Sequence, residues 1–299
     1  MSSTFARRAS LLLAGGGVYA GASGLAYLYF TAGREDQEET NRQLLSSSST
    51  SSSSNHNGNH CSSFVTNPNR KEKFDELAAR YDALINNDER FMMMNLLRRS
   101  LLYWHAKGTV LEMAAGTGRN CSYYPASTVD RVVMTDTSEA MLQQAKEKVR
   151  NLQKGGFMKE EDRKPKFAIL RADGNAALDF ADNSFDTVVD TFGLCSFDDP
   201  VAALQQMERV CKPDGKILLL EHGRSKTWNW ISDYLDKTAE RHAKNWGCVY
   251  NRDLDRIIKE SGLLLDVLHT WHFGTTYYMV CRPRQSKSAI ERTAQPSNG

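Results

Sequence analysis

The stretch VLEMAAGTGRN, Val110 to Asn120, passes from an apolar run straight into Gly116-Thr117-Gly118. Glycines directly after a strand let a ligand approach the backbone. A dinucleotide-binding turn reads GxGxxG and opens a long helix whose N-terminus faces the pyrophosphate. Here Cys121 stands in place of the third glycine, and Pro125 cuts the following helix short. A ligand without phosphates suits this turn better. Asp136 follows Gly116 at the roughly 20-residue interval that sets a carboxylate beside both hydroxyls of a ribose. The same aspartate also reads as a helix N-cap, and both readings stand. Asp173-Gly174-Asn175 close a third strand, where an adenine amino group would find an acceptor, and Thr191 closes a fourth.

These residues need a frame that gathers strand ends. Short apolar runs at Thr109–Met113, Arg131–Thr135, Lys166–Leu170, Thr187–Thr191 and Lys216–Leu220 alternate with helical patterns at Ser138–Leu152 and Pro200–Cys211. Continuous apolar strands separated by helices imply a parallel sheet covered on both faces. KPDG, Lys212 to Gly215, reads as the turn ahead of the fifth strand. Two leading helices are expected at Arg70–Asn86 and Glu89–Ala106, from apolar residues at helical spacing. Another helix is expected at Asn251–Ser261, ended by Gly262. The last two strands, Leu263–Thr270 and Thr275–Cys281, have too short a link for a parallel crossover, so they must pair antiparallel.

The 299 residues suffice for one α/β domain and an extension. Hydrophobic residues at 40% and charged residues at 25% fit a globular core, and a net charge of +2 gives no nucleic-acid platform. Six dispersed cysteines contain no CxxC, so no metal site is expected. The start differs from the rest. Residues 1–10 carry Arg7 and Arg8 and no acid, as in a mitochondrial targeting segment. Residues 9–33 are uncharged, against the ~20 apolar residues that a membrane-spanning helix needs. We therefore expect a transmembrane helix at 11–32, with a cleaved signal as the rival reading. A Ser-rich flexible linker is expected at 33–69, the folded domain at 70–283 and a disordered tail at 284–299.

Four segments carry a family resemblance: VLEMAAGTGRN, VMTDTSEAML, ADGNAALDFADNSFDTVVDTFGLCSF and VCKPDGKILLLEH. They resemble the successive motifs of class I S-adenosylmethionine-dependent methyltransferases. The core is most similar to the ubiquinone/menaquinone C-methyltransferase group, whose leading helix FDELAARYD matches. TGRNCSYYP, LEHGRSKTWNW and GCVYNRDL look more like membrane-anchored methyltransferase-like proteins. Two sets of these are similar, the Oms-type family of the mitochondrial inner membrane and the animal family that S-methylates alkyl thiols. The resemblance implies a Rossmann-like fold, with a seven-stranded, mostly parallel sheet and an antiparallel last strand. It also implies S-adenosylmethionine as cofactor. Glu112 would lie near the methionine amino group, with Gly116, Thr117 and Gly118 along the methionine moiety. Asp136 with Thr137 would hold the ribose, Gly174 and Asn175 would contact adenine, and Thr191 would make the fourth-strand contact. Ala114 stands where many relatives have glycine. Gly174 takes the place of an acidic or amide residue, so Asp173 or Asn175 would serve after a one-residue shift.

The acceptor side is expected from the first helix and the insert His222–Tyr250, which is rich in Trp228, Trp230, Tyr234, Trp246 and Tyr250. Aromatics at a pocket mouth suit a small hydrophobic acceptor such as a quinone precursor, lipid or thiol; packing of an amphipathic helix is the alternative. His222 is the candidate catalytic base, with a structural histidine as its rival. The expected function is methyl transfer to such an acceptor at a membrane, the mitochondrial inner membrane or else the endoplasmic reticulum. The competing reading is a cofactor-binding assembly factor with little turnover.

Overall fold

The computed structural model describes residues 69–154 and 165–284. The expected targeting segment and span, all but the last residue of the expected linker, and all but the first residue of the expected tail lie outside them. No helix among the described residues is long and apolar enough to cross a membrane. Two helices lead, α1 (Arg70–Phe91) and α2 (Met94–His105). They are followed by β1 (Gly108–Met113), β2 (Val129–Asp136), α3 (Glu139–Lys154), β3 (Lys166–Arg171) and β4 (Phe185–Thr191). The chain continues through α4 (Pro200–Val210), β5 (Cys211–His222), α5 (Asn229–Trp246), α6 (Leu254–Ser261), β6 (Leu264–Trp271) and β7 (Thr276–Arg282).

The strands form one seven-stranded sheet in the order β3-β2-β1-β4-β5-β7-β6. The first five pair in parallel, and β7 runs antiparallel to both β5 and β6. Strand period two explains the two cores. Leu111, Val133, Val188, Leu219 and Met279 face one side, where α4 and α6 bring Leu204, Met207 and Ile257. Their neighbours Val110, Val132, Val189, Leu218 and Val280 face the other, where α2 and α3 bring Leu101, Leu102 and Ala145. Burial on both faces is why these strands read as unbroken apolar runs.

Two expectations are corrected. The break between the leading helices comes at Met92-Met93, not near Asn87. Met93 takes a left-handed φ of 54°, and α1 continues far enough to bury Glu89. KPDG lies inside β5 rather than ahead of it. Phe185 pairs with Cys211 and Thr187 with Lys216, so Lys212–Gly215 bulge out of the ladder. Gly215 fits there because a Cβ would lie 2.6 Å from Cys211 Sγ.

Candidate cofactor-binding site

Strand order reverses between β1 and β4, each flanked on its other side by a different crossover, and ligands bind beyond the strand C-termini at such a point. The sequence candidates all collect there. Glu112 to Gly118 follow from β1, Asp136-Thr137 from β2, Asp173–Asn175 from β3, Thr191 from β4 and His222 from β5. No helix forms between Gly118 and Pro125; the chain there runs in turns.

The glycine turn is built from left-handed residues: Ala114 at φ 46°, Gly116 at 54° and Gly118 at 75°. The two glycines do different work. A Cβ on Gly116 would meet only Ala114 O at 4.0 Å, so that side is open to an approaching group. A Cβ on Gly118 would press on Cys121 Sγ at 3.0 Å and Ala145 Cβ at 3.2 Å, so its role is close packing on α3. Alanine at φ 46° carries left-handed strain on the order of 1 kcal/mol. Ala114→Gly relieves it but adds unfolded-chain freedom of similar size. We expect A114G to unfold within about 1 kcal/mol of the wild type in urea and A114V to lose about 2–3 kcal/mol. A stable A114V would contradict the strain.

Asp136 is held from two sides. Its Oδ2 accepts the Gly116 N–H at 2.8 Å and its Oδ1 accepts the Ser138 N–H at 2.9 Å. Ser138 itself caps α3, accepting the Met141 N–H at 3.1 Å. Asp136 therefore does not cap α3: its bond from the Ser138 N–H closes a turn ahead of the helix, and each of its oxygens keeps a second lone pair. Burial raises the carboxyl pKa against the opposing backbone bonds from Ser138, Gly116 and Thr137.

Sequence reasoning missed a polar network behind the turn. Glu112 accepts from Asn120 Nδ2 at 2.9 Å and from Tyr124 Oη at 2.8 Å. Burial pushes its pKa up to about 7, although the Tyr124 and Asn120 hydrogen bonds pull the other way. Arg98 Nη1 donates to Asn120 Oδ1 at 3.1 Å and to Thr191 Oγ1 at 2.6 Å, while its Nη2 donates to Glu89 at 2.8 Å. Arg119 closes on Glu89 at 2.7 Å and on Asp82 at 3.1 Å. Thr117, expected along the ligand, is buried and donates to Asp82 at 2.6 Å. Thr191 is likewise taken up by Arg98 and Asn120. Asp82 and Glu89 both lie on α1, so the network fastens that helix over the strand ends. Arg98 was visible in principle, because it interrupts the apolar stripe that includes Met94, Leu101 and Leu102.

On the β3 side, Gly174 is closely packed: a Cβ there would lie 2.3 Å from Phe197 Cε1. Asp173 is exposed and accepts from the Asn175 side chain at 2.9 Å. Asn175 Oδ1 in turn accepts the Asp198 N–H at 2.6 Å. At β5, His222 Nε2 lies 3.1 Å from Cys248 Sγ, and the ring sits 5.4 Å from Phe192. Within the insert, Tyr250 is buried and stacks on His242 at 4.0 Å. Trp228 and Trp230 are exposed.

Residues 111–219 match the family model described as a methyltransferase domain. The chain is 33% identical over 184 residues to the ubiquinone/menaquinone biosynthesis C-methyltransferase UbiE of Klebsiella pneumoniae, covering 58% of this chain and 69% of that protein. The chain belongs to the class I S-adenosylmethionine-dependent methyltransferases. This methyltransferase is also 37% identical over 218 residues to the mitochondrial methyltransferase OMS1 of Saccharomyces cerevisiae, covering 70% of this chain and 45% of the yeast protein. It therefore spans under half the length of that relative. Its fold is shared with a Thermotoga maritima S-adenosylmethionine-dependent methyltransferase, at TM-score 0.51 and 16% identity over 72% of this chain and all of the other. A Leishmania major methyltransferase scores 0.51 at 14% identity over 71% and 81% of the two chains. The methyltransferase's open Gly116 and backbone-held Asp136 fit the family's cofactor.

Proposed function

We propose that this chain is a membrane-anchored enzyme that methylates a small hydrophobic acceptor, a quinone precursor, lipid or thiol, at the mitochondrial inner membrane. The carrying observation is the Asp136 carboxylate, fixed by Gly116 and Ser138 beside the open face of Gly116. The bound cofactor supplies a sulfonium methyl that is electrophilic without further activation. The chain's own work is to grip and orient. Asp136 accepts from the ribose hydroxyls. Glu112, with the Asn120–Thr191–Arg98 network behind it, offers a negative field to the methionine ammonium. The α1 helix, fastened through Asp82 and Glu89, limits water. The hydrophobic acceptor is supported by the exposed Trp228 and Trp230, and by the quinone methyltransferases among the relatives. The mitochondrial membrane is supported by the name of the yeast relative and by the uncharged stretch 9–33. No base is assigned, because His222 Nε2 already faces a thiol.

The test is radiolabelled-methyl transfer to quinols, lipids and thiols by the full chain. Label in one class supports the reading. Intact cofactor binding with no label in any class replaces it with the assembly-factor reading. Deleting residues 1–33 should move the protein from the carbonate-resistant membrane fraction to the supernatant; retention in the membrane would sink the anchor.

Glu112 adds a pH signature. In the ligand-free chain its carboxyl is half protonated at about 7. The cofactor's ammonium favours the ionised form, so binding expels the proton. Affinity for S-adenosylhomocysteine should therefore weaken as pH falls below about 7, approaching tenfold per pH unit. Ligand-free stability runs the other way. The folded chain binds this proton more tightly than the unfolded one, so stability declines as pH rises from about 4.3 to 7 and levels off above. Titration calorimetry on E112Q should show the affinity slope flattened; an unchanged slope would remove Glu112 from the site.

A further inference from the structure

Three side chains that the site above leaves unused converge at one place. Cys195 lies on a single 3-10 turn, Leu194–Ser196, just after β4. His222 is the last residue of β5, and Cys248 follows Gly247, the left-handed cap of α5 at φ 72°. One ligand atom from each lies within 4.8 Å of the other two, and His222 Nε2 to Cys248 Sγ is 3.1 Å. Contacts outside the three ligand side chains hold them there. Val249 N–H donates to Cys195 O at 2.9 Å, and Arg252 Nη2 donates to Phe197 O at 2.5 Å. The His222 ring lies against Phe192, itself fixed at a left-handed φ of 59°. Both thiols are buried, at 3% and 7% exposure.

We propose that Cys195, His222 and Cys248 bind a zinc ion. Zinc–sulfur bonds of about 2.3 Å and zinc–nitrogen bonds of about 2.0 Å put tetrahedral ligand atoms roughly 3.5–3.8 Å apart. The observed separations, 3.1 Å for one pair and at most 4.8 Å for the others, bracket that range and need only small side-chain shifts. The donor set is soft, two sulfurs and an imidazole nitrogen, which selects zinc over magnesium, calcium or manganese. The charge also balances. Two thiolates and a neutral imidazole cancel the dication, so no net charge enters a buried site. Binding releases two protons to solvent. The remaining buried cysteines show the contrast. Cys121 abuts Met134 Sδ and Cys211 abuts Lys216 O, both consistent with ordinary packing. Three protein ligands leave one tetrahedral position for water or another small ligand. The ion would fasten α5, the wall of the acceptor side, to the tips of β4 and β5. Sequence spacing concealed the set because its ligands come from three separate segments, with no paired-cysteine motif.

The test uses the full chain, purified without a histidine tag, reduced, and loaded with zinc or cobalt. Elemental analysis after gel filtration should find one zinc per chain. The cobalt form should show intense visible bands of a four-coordinate ion and thiolate charge transfer in the near ultraviolet. Removing a hydrogen bond to a metal ligand typically weakens metal binding 10–100-fold, so C195S and C248S, which remove ligands, should each weaken it by more than about 100-fold. C211S and C281S should retain the metal. Binding of S-adenosylhomocysteine checks that each variant is folded. If the serine variants fail that check, H222N and the wild-type cobalt spectrum decide. A wild type that takes up neither ion overturns the proposal, as does full stoichiometry in folded C195S and C248S.

Discussion

Asp136→Ala should lower affinity for S-adenosylhomocysteine by at least about 100-fold, the largest binding loss expected from a single side chain in this protein. Two hydroxyls donating to one carboxylate make two charge-assisted hydrogen bonds, each worth roughly 1.5–3 kcal/mol. Their joint loss of about 3–6 kcal/mol corresponds to a factor on the order of 100 to 10,000. The carboxylate is already oriented by the Gly116 and Ser138 N–H groups, so no ordering cost offsets those bonds. The same contacts complicate the alanine variant, which strands two backbone donors. Its melting temperature without ligand measures that structural share. Asp136→Asn separates the two further. One of its atoms becomes a donor facing Gly116 or Ser138, so it should lose at least tenfold despite its matching shape. Calorimetric titration of D136A giving wild-type affinity would remove the ribose contact and with it the proposed orientation of the cofactor.

The frame of this site was legible and its interior was not, for definite physical reasons. Parallel strands buried on both faces leave continuous apolar runs, which is why Thr109–Met113 and Thr187–Thr191 could be placed within a residue or two of their observed ends. The short link before Thr276 forced an antiparallel partner, and β7 is antiparallel to its neighbours. Local conformation was harder. The break between α1 and α2 depends on a left-handed methionine, a choice that no propensity favours. Close packing at Gly118 and Gly174 leaves no mark in the sequence, since only the fold brings Ala145 and Phe197 against them. Thr117 and Thr191 point their hydroxyls into the protein because Asp82 and Arg98, from distant helices, meet them there. Such pairings come from tertiary contact, as does the Cys195–His222–Cys248 cluster. Arg98 alone left a trace, a charge on an apolar stripe.

That arginine is the keystone of the second large expectation. Arg98→Met should destabilise the ligand-free protein by about 3–5 kcal/mol, the range for removing one partner of a buried ion pair. Arg98 and Glu89 are both nearly inaccessible and meet at 2.8 Å. Arg98 also supplies the donors on Asn120 and Thr191, and its guanidinium lies 4.9 Å from the centre of the Phe192 ring. Methionine fills the volume but leaves Glu89 with Arg119 as its only cation among the described residues and removes a donor from the group that steadies Glu112. For a domain of this size each kcal/mol shifts the melting temperature by roughly 2–4 °C, so a fall on the order of 10 °C is expected. Burial tends to raise the Glu89 pKa, but Arg98 and Arg119 outweigh it and hold the carboxyl below its usual range. Its stabilising contribution is therefore present above about pH 4.3 and lost as pH falls through the folded-state pKa. In R98M that acid-side loss should shrink. A double-mutant cycle completes the argument: adding Glu89→Gln to R98M should cost less than Glu89→Gln alone, because the charge it removes has already lost one cation. Additive losses, or an R98M protein melting within about 2 °C of the wild type, would mean that the network bridges α1 and α2 to the strand ends without stabilising them.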